Sequence, residues 1–300
     1  MKIKKTILIM GLAAILSSCG NTNRNDNEEP IEQNNKVQIV LLLGQSNMEG
    51  HTHSQYLVKT MGEEKAKEYA TGYSKTKICY RNSINFNDSN GQFVDVKLGQ
   101  GTNTERFGPE IGIAERLNDV EFNDQVMLIK FAQGATSLYN HWMSKSSGRN
   151  GMLYDALLEY FSFCMENLEN EGYYPELKAI CWMQGEDDSS SNEYSRYEKL
   201  EENFIKDLRE DLAYYASPNG IHFIDAGISD CTAWTHYQEI NDAKYQNSLK
   251  NEQNHYFSTI ENKLKYNLEP VGAPDIYHYD SSSMIKLGNL FGEKLLEILE

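Results

Sequence analysis

The sequence predicts an α/β protein, a three-layer α/β/α sandwich around a mainly parallel central sheet. Two observations carry that prediction. Residues 37–43 form an almost unbroken apolar run that stops at Gly44, and similar runs recur at 126–132, 179–183 and 221–224. A strand buried on both faces of a parallel sheet reads this way. Between the runs lie amphipathic patterns at 109–117, 152–168 and 194–215, with a last one at 284–299, which fit helices acting as right-handed crossovers. Hydrophobic residues make up 40% and charged residues 24% of the 300, ordinary values for a soluble globular body.

Taken in order, the chain begins with Lys2, Lys4 and Lys5 ahead of an apolar run at 7–16, which is short for a membrane span but suits a signal peptide over residues 1–18. The following Leu16-Ser17-Ser18-Cys19-Gly20 resembles a bacterial lipobox, which makes Cys19 the lipid attachment site and mature N-terminus. Residues 19–35, rich in Asn and Glu, read as a flexible polar tether, and 36–300 as the one folded domain. The expectation is an exported lipoprotein, periplasmic or on the cell surface, that touches membrane only through its N-terminal anchor. Its formal charge of −16, with no basic cluster, argues against nucleic acid as a partner.

Residues 51–104 are polar, rich in Tyr, Asn and Gly and weakly periodic, and read as a long insertion or small edge element at the rim of a site. Cys79, Cys164, Cys181 and Cys231 show no metal-type spacing; one or two disulfides are compatible with export, but spacing does not pair them. Cys181, inside an apolar run, reads as a buried thiol.

Ligands of open α/β sheets gather at the carboxyl ends of the strands. Three ends carry polar blocks: Gly44-Gln45-Ser46-Asn47-Met48-Glu49-Gly50, then Gln133-Gly134-Ala135-Thr136-Ser137, then Gln184-Gly185-Glu186-Asp187-Asp188. Ahead of the last helix stands Asp275-Ile276-Tyr277-His278. A serine hydroxyl becomes a nucleophile when a base takes its proton and a third group orients that base. Ser46, His278 and Asp275 are the three candidates, and the short Asp-x-x-His spacing lets one carboxylate reach Nδ1 and leave Nε2 for the serine.

These four blocks, in this order and with Trp182-Met183 preceding the third, resemble the sialate O-acetylesterase and acetylxylan-esterase (carbohydrate esterase family 6-like) branch of the SGNH-hydrolase superfamily, over nearly the whole mature domain. The resemblance implies an SGNH/flavodoxin-like fold and a serine carboxylic-ester hydrolase that removes acetyl groups from carbohydrates through an acetyl-enzyme, with neither metal nor organic cofactor. It assigns the oxyanion hole to the Ser46 and Gly134 backbone N–H groups and a side-chain amide, here Gln184 in place of the superfamily's usual asparagine. Gln45, Asn47 and Glu186 are expected to support the loops. Two other readings stay open: an esterase or lipase for other acyl esters, and a catalytically inactive glycan-binding lipoprotein.

His51-Thr52-His53 lacks a third metal ligand, and the adjacent Glu186, Asp187 and Asp188 cannot flank a glycosidic bond from both sides. Tyr139, His141 and Trp142 suit either a sugar-stacking wall or the core, while Trp182 reads as core.

Overall fold

The protein is described by a computed structural model covering residues 35–82 and 87–299. The expected signal segment, Cys19 and most of the tether lie outside the described residues. Strands β1 (Lys36–Gly44), β2 (Thr52–His53), β3 (Tyr73–Asn82), β4 (Asn87–Asp88), β5 (Val94–Val96), β6 (Arg106–Phe107), β7 (Gln125–Ala132), β8 (Tyr174–Met183), β9 (His222–Ala226) and β10 (Asn254–Phe257) follow in chain order. The helices are α1 (Ser46–Glu49), α2 (Leu57–Met61), α3 (Glu63–Thr71), α4 (Glu110–Asn118), α5 (Met152–Asn170), α6 (Glu186–Ser189), α7 (Tyr197–Asp211), α8 (Tyr237–Ser248) and α9 (Ser281–Leu299).

The main sheet runs β10-β9-β8-β1-β7-β3-β4, with β5 paired to β3. Every pairing from β10 to β3 is parallel, and only the short β4 and β5 run antiparallel. Helices flank it, α4 packing on α9 and α7 on α8, which is the expected α/β/α sandwich. The chain steps away from β1 to β3, returns through β7, then crosses β1 to reach β8. That reversal opens a crevice at the carboxyl end of β1.

The four apolar runs are strands, and the four amphipathic patterns lie on α4, α5, α7 and α9. The 51–104 segment differs from the expectation of an insertion or small edge element. It contributes β3, a ten-residue parallel strand on β7, with α2 and α3 before it. Lys75, Lys77 and Arg81 interrupt its apolar character, while Ile78 and Cys79 are buried. Part of the segment does reach the rim: β2 pairs with β6 beside the crevice.

Register aligns the strand ends. Gly44 pairs with Ala132 on one side and Met183 on the other, so Gln45, Gln133 and Gln184 follow their strands at one level. Only glycine fits at 44, because a Cβ there would sit 2.0 Å from the Met183 carbonyl oxygen. Cys79, Cys164, Cys181 and Cys231 are buried free thiols, with the Cys79 and Cys164 sulfurs 3.4 Å apart between β3 and α5.

Candidate active site

The first block leaves β1 as a tight turn into α1. Gln45 N–H donates to the Met183 carbonyl at 3.0 Å and Gln133 N–H to the Gly44 carbonyl at 3.1 Å, locking the turn to both neighbouring strands. From below, the buried Lys130 of β7 donates to the carbonyl of Glu49 at 3.1 Å and pairs with Glu110 at 3.0 Å. An uncompensated ammonium at that depth would be costly, so the lysine holds its partners firmly.

Ser46 and His278 line one pocket of about 270 Å³, with Gln45, His51, Gly134, Ala135, Asp187, Trp234 and Tyr277. Three other clefts are larger, but two lie on α7 and α8 and the third beside the end of α4 and the starts of β3 and β7, all away from these residues. The small pocket is the one that gathers the candidate residues. Asp275 accepts at Oδ2 from His278 Nδ1 at 2.7 Å and at Oδ1 from the Tyr277 N–H at 3.1 Å. This places the proton on Nδ1 and turns the Nε2 lone pair away from the carboxylate. Burial pushes the His278 pKa below its ordinary 6.5, outweighing the opposing pull of Asp275. Burial alone would raise Asp275, but its hydrogen bond to His278 and the imidazole charge hold the carboxyl below its usual range.

Asn47 joins the nucleophile block to the base. Its amide nitrogen donates to Glu186 Oε1 at 2.8 Å and to the Tyr277 carbonyl at 3.3 Å, and its oxygen accepts the Tyr279 N–H at 3.2 Å. Glu186 is fully buried, which raises its pKa, and its Oε2 has no partner among the described residues. Glu186 is thus linked through Asn47 to the residues on either side of His278.

Gln184, expected as the third oxyanion donor, is held inside the protein. Its Nε2 donates to Asp188 Oδ2 at 2.6 Å, the Thr136 carbonyl at 3.0 Å and Gln45 Oε1 at 3.2 Å, while its Oε1 accepts the Tyr197 hydroxyl at 3.0 Å. Fully buried among these partners, it braces the loops instead of lining the pocket. Asp188 also caps the N–H groups of Leu138 and Tyr139, and burial lifts its pKa to about 6. Gly134 does line the pocket, but its N–H donates to Glu49 Oε2 at 2.7 Å. The residue after it, Ala135, adopts φ 55, a left-handed conformation uncommon for alanine, at the pocket wall.

The suggested aromatic wall resolves toward the core. Trp142 is fully buried against Phe131 and Trp182, its indole N–H on the Thr136 hydroxyl at 3.0 Å. Trp182 is equally buried, and Tyr139 lies under the Arg196 guanidinium at 4.6 Å. His141 Nδ1 accepts the Ser137 N–H at 3.0 Å. The aromatic rings at the pocket are Trp234 and Tyr277, with centroids 5.5 Å apart, and Tyr277 is exposed. His51 was also missed as a pocket residue: it stacks on His278 at 4.5 Å and bonds Glu49 Oε2 at 3.0 Å. Glu49 and His51 stand in or beside the first block, a position that could have pointed to them; Trp234 and Tyr277 come from irregular segments without a periodic signal.

A parallel α/β/α sandwich with its polar blocks at the carboxyl ends belongs to the SGNH-like fold class. Residues 36–297 match the model of the family described as carbohydrate esterase, sialic acid-specific acetylesterase, and the chain belongs to that family. Solved structures with the same fold include a protein from Arabidopsis thaliana (18% identity, 88% of this chain and 99% of that one, TM-score 0.59). NanS is similar at 14% identity, over 88% of this chain and 98% of its own, with TM-score 0.60. A carbohydrate acetylesterase from Xanthomonas citri matches at 12% identity, over 88% of this chain and 56% of that one, with TM-score 0.54. No curated protein sequence matches the chain.

Proposed function

We propose that this family member hydrolyses acetyl esters on carbohydrates with Ser46 as nucleophile, His278 as general base and then general acid, and Asp275 as the group that orients His278. The observation that carries this reading is the 2.7 Å Asp275–His278 hydrogen bond beside a pocket that Ser46 shares. Ser46 Oγ attacks the acetyl carbonyl as His278 Nε2 takes its proton. That proton passes to the departing sugar hydroxyl as the C–O bond breaks, and a water activated by the same nitrogen releases acetate from the serine. A pocket of about 270 Å³ favours an acetyl group over a long acyl chain. The exposed Tyr277 and neighbouring Trp234 offer ring faces for a sugar, the combination of apolar face and polar edge that suits carbohydrate.

A fluorophosphonate probe should label the Ser46 peptide of the wild-type protein and leave Ser46→Ala unlabelled, and acetate release across a panel of acetylated glycans should identify the sugar. A folded wild-type protein that neither takes the probe nor releases acetate from any of them would overturn the reading.

A further inference from the structure

An oxyanion is stabilised by N–H donors aimed at it before the reaction begins, so a donor already committed inside the protein contributes little. Gly134 N–H is committed to the buried Glu49 carboxylate at 2.7 Å. Gln184 is committed more completely. A carboxamide nitrogen has two hydrogens, and this one faces three acceptors in a fully buried setting.

Gln45 presents the reverse arrangement. Its Oε1 accepts the backbone N–H of Gly185 at 3.3 Å, that of Asp187 at 3.4 Å and Gln184 Nε2 at 3.2 Å. Backbone N–H groups can only donate, so they identify which end of the planar amide is oxygen. The nitrogen is the opposite pole, and the residue lines the pocket immediately before Ser46. The brace formed by Gln184 thus fixes the Gln45 oxygen and presents its nitrogen.

We infer that Gln45 Nε2, with the Ser46 backbone N–H, donates to the ester carbonyl oxygen as it becomes an oxyanion, and that Gln184 is a positioning residue which holds Gln45 in that orientation. This assignment rests on the serine-esterase reading of the pocket. As the Ser46 Oγ–C bond forms, the carbonyl π pair moves onto oxygen and the serine proton moves to His278 Nε2. Gln45 donates hydrogen bonds without transferring a proton. When the tetrahedral species collapses, the pair returns and the sugar oxygen leaves with the proton from His278.

Bracing and donation are separable because they use opposite ends of one side chain. Gln45→Glu at pH 8 keeps an oxygen acceptor for Gly185, Asp187 and Gln184 but replaces the donor with a second carboxylate oxygen. Its melting temperature should stay near wild type, KM should change by less than about threefold, and kcat should fall by roughly 10²–10³-fold. Gln45→Met, which has neither function, should lose kcat and melting temperature together. A well-folded Gln45→Glu enzyme with kcat within about threefold of wild type would overturn the assignment while leaving Ser46 chemistry intact. Failure of the wild type to label at Ser46 with fluorophosphonate would instead remove the esterase reading, and the assignment with it.

Discussion

The two sides of the pocket are held in different ways. On the nucleophile side Gln45, Ser46 and Asn47 are 2%, 8% and 2% exposed, and their segment is tied to both adjoining strands and to Lys130. On the base side Tyr277 is 48% exposed, and the whole of 258–280 lacks helix and strand. That segment is held without strand pairing: Leu264 and Tyr279 pack into the core, and side chains link Asn47 to Tyr277 and Tyr279, the Thr52 hydroxyl to the Tyr279 carbonyl at 2.8 Å, and Glu269 to the Ser281 N–H at 2.7 Å. The sheet builds in the position of the serine, whereas the position of the histidine depends on polar links that a single substitution can cut.

The largest expected effect follows from chemistry at a site that bears little of the fold. His278→Ala should lower turnover by roughly 10⁴-fold or more, since the serine loses its base. Its melting temperature should fall only slightly, because the side chain removed lies at the pocket and its hydrogen bond is to Asp275 of the same segment. A large drop in melting temperature would show that this segment is as structural as the β1 turn and would erase the contrast.

Asn47→Ala cuts the link between the sides and should have an intermediate effect. It removes the amide donor from a fully buried Glu186 and the acceptor of the Tyr279 N–H, a loss of roughly 1–3 kcal/mol in stability. Turnover should fall about 10- to 100-fold as His278 samples more positions. Thermal melts and kcat measured together check this; wild-type values for both would mean that Thr52 and the Glu269–Ser281 contact suffice to hold the base.

The same contrast governs how much the sequence revealed. Strands β1, β7, β8 and β9 were legible because burial on both faces demands apolar residues in succession, and Ser46, Asp275 and His278 could be named as candidates from residue type and spacing, which the fold brings to one pocket and one hydrogen bond. β3 was hidden by Lys75, Lys77 and Arg81, whose outward positions look like loop composition. The resemblance gave the donor amide to Gln184 and a supporting place to Gln45, and the contacts with Gly185, Asp187, Asp188 and Thr136 that orient both amides are set only in space. Trp142 and Trp234 had the same difficulty: ring type says nothing about which one the packing buries. Glu49 could be read as part of a block, but not its capture of Gly134 N–H, which depends on the register of β1 against β7.

The smallest expected effect concerns pH, and it tests whether the environment around His278 is as described. The base works only when neutral, so kcat/KM should rise with pH through the His278 pKa and then level off. Burial lowers that pKa from 6.5; Asp275 raises it, while His51 and Arg106 lower it further when charged. The acid limb should therefore have its midpoint below 6.5. Linkage gives stability the same direction. With the folded pKa below the unfolded one, the unfolded chain binds the proton more readily, so this group's contribution to stability is lost as pH falls through the interval between the two and is kept above it. His51→Gln removes an imidazole stacked at 4.5 Å that lowers the His278 pKa when charged and should move the limb to higher pH, whereas Asp275→Asn removes the stabilising partner and should move it lower, with a much reduced plateau. The two shifts have opposite signs, so a change in general stability cannot mimic both. A wild-type limb above 6.5, or a limb that stays fixed in both variants, would show that a group other than His278 is being titrated.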